Sequence, residues 1–551
     1  MRAKVEAINN ARVIKDANRH PKGLYVLFAT ETWERFSFYS MLALFTLYLR
    51  DPSYGFGWTA AQATSLYANY MMFVYASPLV GGFLADKILG YRRAIMIGGL
   101  FFIAGHGLLA IHSLWAVYAA LTCLVIGNGF FKPNVSTMVG NLYPERCPLK
   151  ERAYNIFYMG INIGGFIAPL IMEIVKRNLG FHPAFAVAAF GMVVSVTILW
   201  VFKNTVEPNR SSLSNAAQVT AIAATAVDAP PHDVSHQESD QRLSNMMEAV
   251  PDWKRIMALI IVFAIIIVFW MVFHQNGSTL TFWADDNTNW SLSGIISSSI
   301  NSFWIITLTF PLIWFWNWLN RHGKEPSIPA KMAFGMLLTA LSFFVLYFAA
   351  TIGERQPVST DMYADGSFRI NDRVLTKLKA GGVPQEVLDK ITSAKDAEGK
   401  YIIYGVKFAP KDDEETKQLI TGQQQLMDAL DRVVPGQVSP YRDAILQSTY
   451  LFRVSPFWLI LAYAIISLGE LMLSPMGLSL VSKVAPVRFR GLLMGGWFLS
   501  TAIGSKLTAI GVYWEIWRQS SFFVVLGLMA LGMTIVLWAL LRPLKKAMPG
   551  V

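Results

Sequence analysis

Long apolar stretches, separated by short polar loops, run along most of the chain. A membrane-spanning α-helix needs about 20 mostly apolar residues to cross roughly 30 Å of hydrocarbon, and twelve stretches reach that length. The pattern therefore predicts an all-α membrane protein with twelve transmembrane helices. The predicted spans lie at 24–49, 60–86, 94–116, 118–141, 153–175, 183–202, 255–277, 292–319, 329–350, 455–482, 491–513 and 519–541.

Two long polar segments interrupt this pattern. Residues 203–253 are rich in Ser, Ala, Asp and Gln and poor in aromatic residues, which predicts a flexible linker between two six-helix bundles. Residues 351–454 carry 14 basic and 15 acidic residues, which predicts a small soluble insert with a helix near 383–395 and a strand near 400–408. The predicted units are an N-tail (1–23), a first bundle (24–202), the linker (203–253), a second bundle (254–541) that contains the insert, and a C-tail (542–551).

The distribution of Lys and Arg predicts the orientation. Outside the insert, the loops on the side of the two tails hold 26 of these residues. The opposite short loops hold four, which are Arg50, Lys176, Arg177 and Arg518. Because basic residues accumulate in cytoplasmic loops, both termini are predicted to be cytoplasmic and the insert extracytoplasmic. The protein is expected to be a multi-pass protein of the cell membrane, that is, an inner or plasma membrane.

Composition gives the net charge its meaning. Of the 551 residues, 54% are apolar and 15% are charged, whereas a soluble domain has roughly 25% charged residues. The net charge of +11 then reflects cytoplasmic loops rather than a surface for nucleic acid. Two cysteines supply neither a disulfide framework nor a thiolate metal site, and the polar N-terminus lacks the apolar core of a signal peptide. No nucleophile with a base, metal cluster or phosphate loop occurs, so neither an enzyme nor a cofactor is expected.

Three basic and three acidic residues fall deep inside the predicted spans, where each charge costs at least ~3 kcal/mol and is a functional candidate. In span one, Glu31, Arg35 and Tyr39 follow one another at four-residue spacing on one helix face, with Glu34 beside them. Two carboxylates against one arginine leave a surplus negative charge, for which Lys132 of span four is the candidate cation. The structural alternative is an ion pair that only fixes helix packing.

The second half supplies the deep carboxylate of Glu470 in span ten. Lys506 of span eleven is one candidate partner; otherwise Glu470 is available for a cationic group on a ligand. His274 in span seven lies among polar neighbours and is suited to titration near neutral pH. Two cations in one half facing a carboxylate in the other suit a zwitterion, such as an amino acid or a short peptide. The residues alone thus predict a proton-coupled carrier of a zwitterionic solute.

These residues lie in motifs that resemble the proton-dependent oligopeptide transporters of the major facilitator superfamily. ETWERFSFY is similar to the ExxERFxYY motif of that family, with Phe38 in place of the first Tyr. The resemblance covers essentially all twelve spans and includes VYASPLVGGFLAD, GGFLADKILGYRR, GFFKPNVSTMVGNLY and FYMGINIGGFIAPL. It implies the major facilitator fold, in which two six-helix bundles rock around a central site. It also implies symport of di- and tripeptides with protons. The chain is separately expected to function as a monomer.

The resemblance implies roles for particular residues. Arg35 and Lys132 are expected to bind the peptide carboxylate and Glu470 its amino terminus. Proton coupling is expected to involve Glu31, Glu34, Arg35 and Lys132. His274 is a further candidate for proton coupling, which does not come from the resemblance. The remaining residues implied to line the pocket are Tyr39, Tyr75, Asn162, Asn301 and Trp497, and those implied in an inner-gate loop are Asp86, Arg92 and Arg93. No role is carried over for Lys506, and no external partner is implied for the insert.

One departure from the family concerns the outer gate. Many members pair an Arg, seven residues after the arginine of the ER motif, with a Glu of span seven, whereas this chain has Leu42 and His274 there. That pair cannot form here. One hypothesis is that protonation of His274 changes its contacts with span one and releases the gate; the alternative is a neutral hydrogen-bonding residue of the pocket.

Two other functions stay open from the sequence. Some plant relatives carry nitrate and use a histidine one position earlier in span seven, but the retained Glu470 favours a substrate with an amino group. A peptide sensor, signalling through the linker or the insert, would bind without transport. Uptake of a labelled dipeptide under a proton gradient distinguishes these possibilities.

Overall fold

The structure is a computed structural model that describes residues 20–51, 54–143, 149–206, 250–355, 370, 372–393, 422–449 and 451–549. Most of the N-tail, most of the predicted linker and the predicted strand near 400–408 lie outside these residues. Helices dominate the described ranges, and their only β pairing is an isolated parallel bridge between Thr288 and Val454. This agrees with the predicted all-α class.

Twelve long helices coincide with the twelve predicted spans. They are α1 (Lys22–Arg50), α2 (Ala60–Leu84), α3 (Tyr91–Leu109), α4 (Leu114–Asn141), α5 (Leu149–Leu179), α6 (Phe181–Val201), α7 (Asp252–Phe273), α8 (Ser297–Arg321), α9 (Ile328–Glu354), α10 (Pro456–Val484), α11 (Arg490–Leu507) and α12 (Gln519–Ala547). Ten of them are long and apolar enough to cross a membrane by length and composition alone. The other two are α1, which carries the cluster around Arg35, and α11, which is short and rich in Gly, Ser and Thr.

The third predicted span (94–116) is wrong at its end, because α3 stops at Leu109, a short turn follows, and α4 already begins at Leu114. Three other spans contain a change of helical pitch. The π-helix Ala85–Leu89 prolongs α2. A 3-10 turn at His274–Gly277 follows α7, and a short helix, Thr279–Asp286, extends this crossing beyond its predicted end. The 3-10 helix Thr508–Trp514 likewise completes α11. The apolar pattern continues through these changes of helical pitch, so it marks the length of the crossing but not the helix type.

Glycines let particular helices approach closely. A Cβ on Gly81 of α2 would overlap the carbonyl of Gly129 in α4. In the second half, a Cβ on Gly335 of α9 would lie 2.7 Å from the carbonyl oxygen of Gly469 in α10. Close backbone approach through small residues is a general way of packing membrane helices. It fixes α4 and α10, the helices that carry Lys132 and Glu470.

The helices alternate in direction, which defines two faces of the molecule. We call the face where α9 and α10 meet the insert the insert side, and the opposite face, where α1 begins and α12 ends, the terminus side. Four short helices occupy the described part of the insert, at Asp372–Ala380, Gln385–Ser393, Gly422–Val433 and Arg442–Thr449. Their apolar side chains form a hydrophobic cluster of their own. The helix at Gln385–Ser393 confirms the helical pattern read near 383–395.

Candidate functional site

A cavity of about 260 Å³ lies between the two halves of the molecule. Its walls come from α1, α2, α4 and α5 in the first half and from α7, α8, α10 and α11 in the second. The sequence-predicted residues that line it are Arg35, Tyr39, Tyr75, Lys132, Asn162, His274, Asn301, Glu470 and Trp497. Residues from eight helices therefore converge on one space.

Glu31 and Glu34 lie behind this lining and hold Arg35 in place. The carboxylate of Glu34 accepts two hydrogen bonds from the guanidinium of Arg35, one from Nε and one, of 2.6 Å, from Nη2. Glu31, one turn earlier, lies 3.3 Å from Arg35 Nε. All three side chains are almost fully buried. A paired arrangement of this kind offsets the large cost of removing charges from water.

The two carboxylates are held differently. Glu34 forms a bidentate, charge-assisted pair with Arg35. Oε2 of Glu31 is buried and finds no hydrogen-bond partner among the described residues. An unpartnered buried oxygen favours the protonated form of a carboxyl group, because that form carries no charge to solvate. Glu31 Oε2 can therefore take up a proton without the loss of a hydrogen bond.

Lys132 completes the positive face of the cavity without direct ion pairing. Its Nζ lies 4.9 Å from the centre of the Tyr75 ring, a cation–π distance. No carboxylate lies within ion-pair distance of this ammonium in the part of the chain that the structure describes. Lys132 was predicted to neutralise the surplus carboxylate of α1. It can do so only at a distance, without a direct ion pair, so its ammonium stays available to a ligand.

Glu470 faces the cavity from α10 with uncharged partners. Asn301 of α8 donates from Nδ2 to Glu470 Oε2 at 3.4 Å and to Ser467 Oγ at 2.9 Å. Lys506, a candidate partner by sequence, instead donates to Oδ1 of Asn69 in α2. Amide and hydroxyl groups orient a carboxylate but do not neutralise it. The carboxylate of Glu470 thus remains available to a cation in the cavity.

His274 lies in a stack of rings at the end of α7. Its imidazole stacks on Tyr75 at 5.2 Å and on Trp270 at 5.1 Å between ring centres. Nδ1 lies 2.9 Å from Ser505 Oγ, and the Ser505 hydroxyl itself donates to the carbonyl of Thr501. With that proton committed, Nδ1 is the donor and Nε2 carries the free lone pair of the neutral ring. These contacts place the imidazole against α2, through Tyr75, and against α11, through Ser505.

Three further lining residues are fixed by packing. Tyr39 lines the cavity with its ring edge-on to Phe38, at 5.5 Å between ring centres. Asn162 donates to the carbonyl of Tyr158 one turn earlier in α5. Trp497 packs so tightly on α10 that a Cβ on Gly477 would overlap its ring.

The residues predicted at the inner gate lie away from the cavity, on the terminus side. Asp86 falls in the π-helix after α2, and Arg92 and Arg93 open α3. Both arginines line a separate open pocket of about 330 Å³, together with Tyr91 and Asn141. These residues therefore lie where α2, α3 and α4 meet, on the terminus side of the first half.

Sequence reasoning missed a group of buried charges on the insert side. Arg50, counted from sequence as a loop residue, is 7% exposed and pairs with Asp286 and Glu515 of the other half. Glu173, expected near the membrane interface, is 8% exposed and binds the backbone N–H and the hydroxyl of Ser293. These residues lie near the ends of spans, beside polar loops, where a charged side chain is normally solvated. The hydrophobic pattern of the sequence therefore did not indicate that they are buried.

Comparison with known proteins identifies a family and several similar transporters. The model of the POT family (PTR2) matches residues 92–363 and 433–515. A di-/tripeptide transporter of Lactococcus lactis subsp. cremoris is 28% identical over 96% of this chain and 97% of its own. An uncharacterized transporter of Bacillus subtilis (strain 168) is 26% identical over 99% of each chain. The crystal structure of peptide transporter POT in complex with sulfate has a TM-score of 0.66 and 26% identity over 96% of each chain.

Proposed function

The chain belongs to the POT family of peptide transporters, and we propose that it is a symporter that imports di- and tripeptides together with protons. Family membership confirms the prediction of a multi-pass transporter rather than an enzyme. The proposed cycle is alternating access, in which the two six-helix bundles rock around the cavity. The proton gradient supplies the energy, and no cofactor is required.

The observation that carries the proposal is the separation of charge across the cavity. Arg35 and Lys132 lie in the first half, whereas Glu470 lies in the second. A short peptide carries a carboxylate at one end and an ammonium at the other, so it satisfies both walls at once. A peptide bound in this way also draws the two halves together, which ties substrate binding to closure.

Proton coupling follows from the unequal partners of the two glutamates. Protonation of Glu31 leaves Arg35 paired with Glu34 and releases its 3.3 Å contact with Glu31. The guanidinium then bears more unbalanced positive charge toward a peptide carboxylate. Proton uptake at Glu31 and peptide binding at Arg35 therefore favour each other, which is a thermodynamic coupling between two sites.

Orientation and assembly complete the proposal. The excess of basic residues on the terminus side supports cytoplasmic tails and an insert that faces outward. The functional unit is expected to be a monomer. The host membrane is expected to be the cell membrane, where an inward proton gradient is available.

The decisive experiment is uptake of a labelled dipeptide into proteoliposomes with an imposed inward proton gradient. The parent protein is expected to accumulate the peptide only when the gradient is present. Glu470→Gln is expected to abolish accumulation. Glu386→Gln serves as the matched control, because Glu386 is an exposed carboxylate of the insert that pairs with Lys390.

Three results would contradict the proposal. Accumulation without a gradient would exclude proton coupling. Peptide binding without any accumulation would indicate a sensor. Competition by nitrate but not by unlabelled dipeptides would indicate an anion carrier.

A further inference from the structure

Arg50, the last residue of α1, carries a buried charge that joins the two halves on the insert side. Its Nη2 lies 3.2 Å from Asp286 Oδ2 and 3.9 Å from Glu515 Oε1. Its guanidinium also lies 4.3 Å from the centre of the Phe282 ring. All three of these partners belong to the second half, so this one side chain bridges the molecule.

The partners of Arg50 are themselves held firmly. Asp286 ends the short helix Thr279–Asp286, and the next residue, Asn287, accepts a hydrogen bond from the N–H of Val454 at 2.9 Å. Glu515 Oε2 accepts from the N–H of Ala60, the first residue of α2, at 3.2 Å. Glu515 thus contacts both the end of α1 and the beginning of α2.

Two more contacts close the same side. Glu173 at the end of α5 binds Ser293 ahead of α8. Thr46, one turn before Arg50, donates to the carbonyl of Gly277 at 3.2 Å. The contacts of Arg50, Glu173 and Thr46 therefore lie between the cavity and the insert side, and all of them cross from one half to the other.

Charge makes the Arg50 contact the dominant one. Removing one member of a buried ion pair is strongly destabilising, because the remaining charge stays in a dry site. When the halves separate on the insert side, water must enter to solvate Arg50, Asp286 and Glu515. The ion pairs therefore favour the closed arrangement in which they are made.

We propose that Arg50, with Asp286 and Glu515, is the clasp that closes the insert-side entrance of the cavity. It takes the place of the outer-gate pair that Leu42 and His274 make impossible in this chain. The role of the clasp in import rests on the proposed function, whereas closure itself can be measured without any transport.

The test measures access to the cavity from the insert side. In a background carrying Cys123→Ser and Cys147→Ser, Ser298→Cys places a thiol in the cavity wall. Sealed vesicles with the insert outward receive a membrane-impermeant methanethiosulfonate reagent. Arg50→Gln is expected to raise the labelling rate about fivefold or more, because the open form gains population when a pair specific to the closed form is lost.

Two variants control for charge and for geometry. Arg518→Gln removes an exposed arginine at the same end of the molecule and is expected to label at the parent rate. The exchange Arg50→Asp with Asp286→Arg restores opposite charges and is expected to bring labelling back toward the parent rate. A general loosening of the fold would raise labelling in all three.

An unchanged labelling rate in Arg50→Gln that still elutes as a single species would overturn the clasp. Should that variant fail to fold, Arg50→Lys decides. Lysine is shorter and has no planar guanidinium to lie over the Phe282 ring, so labelling should rise, and a parent rate there would overturn the proposal. Dipeptide uptake is measured in parallel. If Arg50→Gln is labelled faster but the parent protein takes up no dipeptide, the clasp is supported and the peptide symporter is contradicted. If the parent protein takes up dipeptide but Arg50→Gln is labelled at the parent rate, the symporter is supported and the clasp is contradicted.

Discussion

In the first half of the cavity, Arg35 is paired with two carboxylates from its own helix. In the second half, the one hydrogen bond that Glu470 receives among the described residues comes from the uncharged amide of Asn301. The first cluster is complete before any substrate arrives. The second has a carboxylate whose charge is oriented but not balanced. A buried charge that lacks an opposite charge is costly, so the second wall gains most from a cation in the ligand.

The difference assigns separate tasks to the two walls. The paired cluster can change its charge by one proton while Arg35 keeps Glu34 as a partner. The unpaired carboxylate instead changes its surroundings when the peptide ammonium arrives. Proton coupling then belongs to the first half and recognition of the amino terminus to the second.

The largest effect is expected for Arg35→Gln, which breaks the first cluster. Two buried carboxylates lose their cation, and breaking a buried pair costs about 3–5 kcal/mol. We expect a clear fall in the thermal unfolding temperature of the detergent-purified protein and no measurable dipeptide uptake. Thermal scanning by tryptophan fluorescence and the proteoliposome assay measure the two effects.

A control arginine sharpens the Arg35 result. Arg518→Gln, which changes an exposed arginine, is expected to keep both properties. If Arg35→Gln were as stable as the parent, the cluster would not be a single charge network.

Glu470→Gln is expected to act on binding rather than on stability. The glutamine keeps an oxygen for the Asn301 hydrogen bond, so the unfolding temperature should stay within about two degrees of the parent. Loss of the charge partner should weaken dipeptide binding by about 2 kcal/mol, roughly 30-fold. Calorimetric titration with a dipeptide measures this change.

The N-acetylated form of the same peptide provides the matched ligand control for Glu470→Gln. It lacks the ammonium, so the parent and the variant should bind it equally. A variant that lost affinity for both ligands equally would show that Glu470 does not recognise the amino terminus.

The same contrast explains what the sequence could predict. Glu31, Glu34 and Arg35 lie within five residues of one another, so helix geometry alone places them together. Glu470 could be recognised as buried but its partner could not, because Asn301 and Lys506 lie on different helices and only packing decides between them. Resemblance to the family supplied Asn301, which no spacing rule indicates.

The fold followed a similar rule. The length of the mostly apolar stretches predicted all twelve long helices. This includes α1 and α11, which are not among the ten helices that length and composition alone identify as membrane spans. It did not predict that Arg50 is buried, since a charge at a span end is normally solvated and its partners, Asp286 and Glu515, are more than 200 residues away. Long-range pairs of this kind are fixed by tertiary packing and leave no periodic signal.

A smaller effect is expected for His274→Gln, which tests whether the second half also takes up protons. The imidazole packs between Tyr75 and Trp270, and a charge there would find two ring faces and the Ser505 hydroxyl. If His274 is the gate protonation site, uptake by the variant should rise less steeply than that of the parent as the external pH falls. Initial rates across a pH series measure this slope.

His322→Gln serves as the control, because His322 is an exposed histidine beside Trp318. Full uptake with an unchanged pH profile in His274→Gln would remove the gate hypothesis. Proton coupling would then rest on the first half alone.

The smallest effect is expected for Lys506→Gln, and it decides whether the second half has a hidden cation for Glu470. Lys506 donates to Asn69, and a glutamine amide can keep that hydrogen bond, so the variant should lose about 1 kcal/mol of stability or less. Combined with Glu470→Gln in a double-mutant cycle for dipeptide affinity, the two changes should add within about 0.5 kcal/mol, as expected for residues without a shared partner. A larger coupling energy would mean that Lys506 does balance Glu470, and the contrast between a paired first wall and an unpaired second wall would no longer hold.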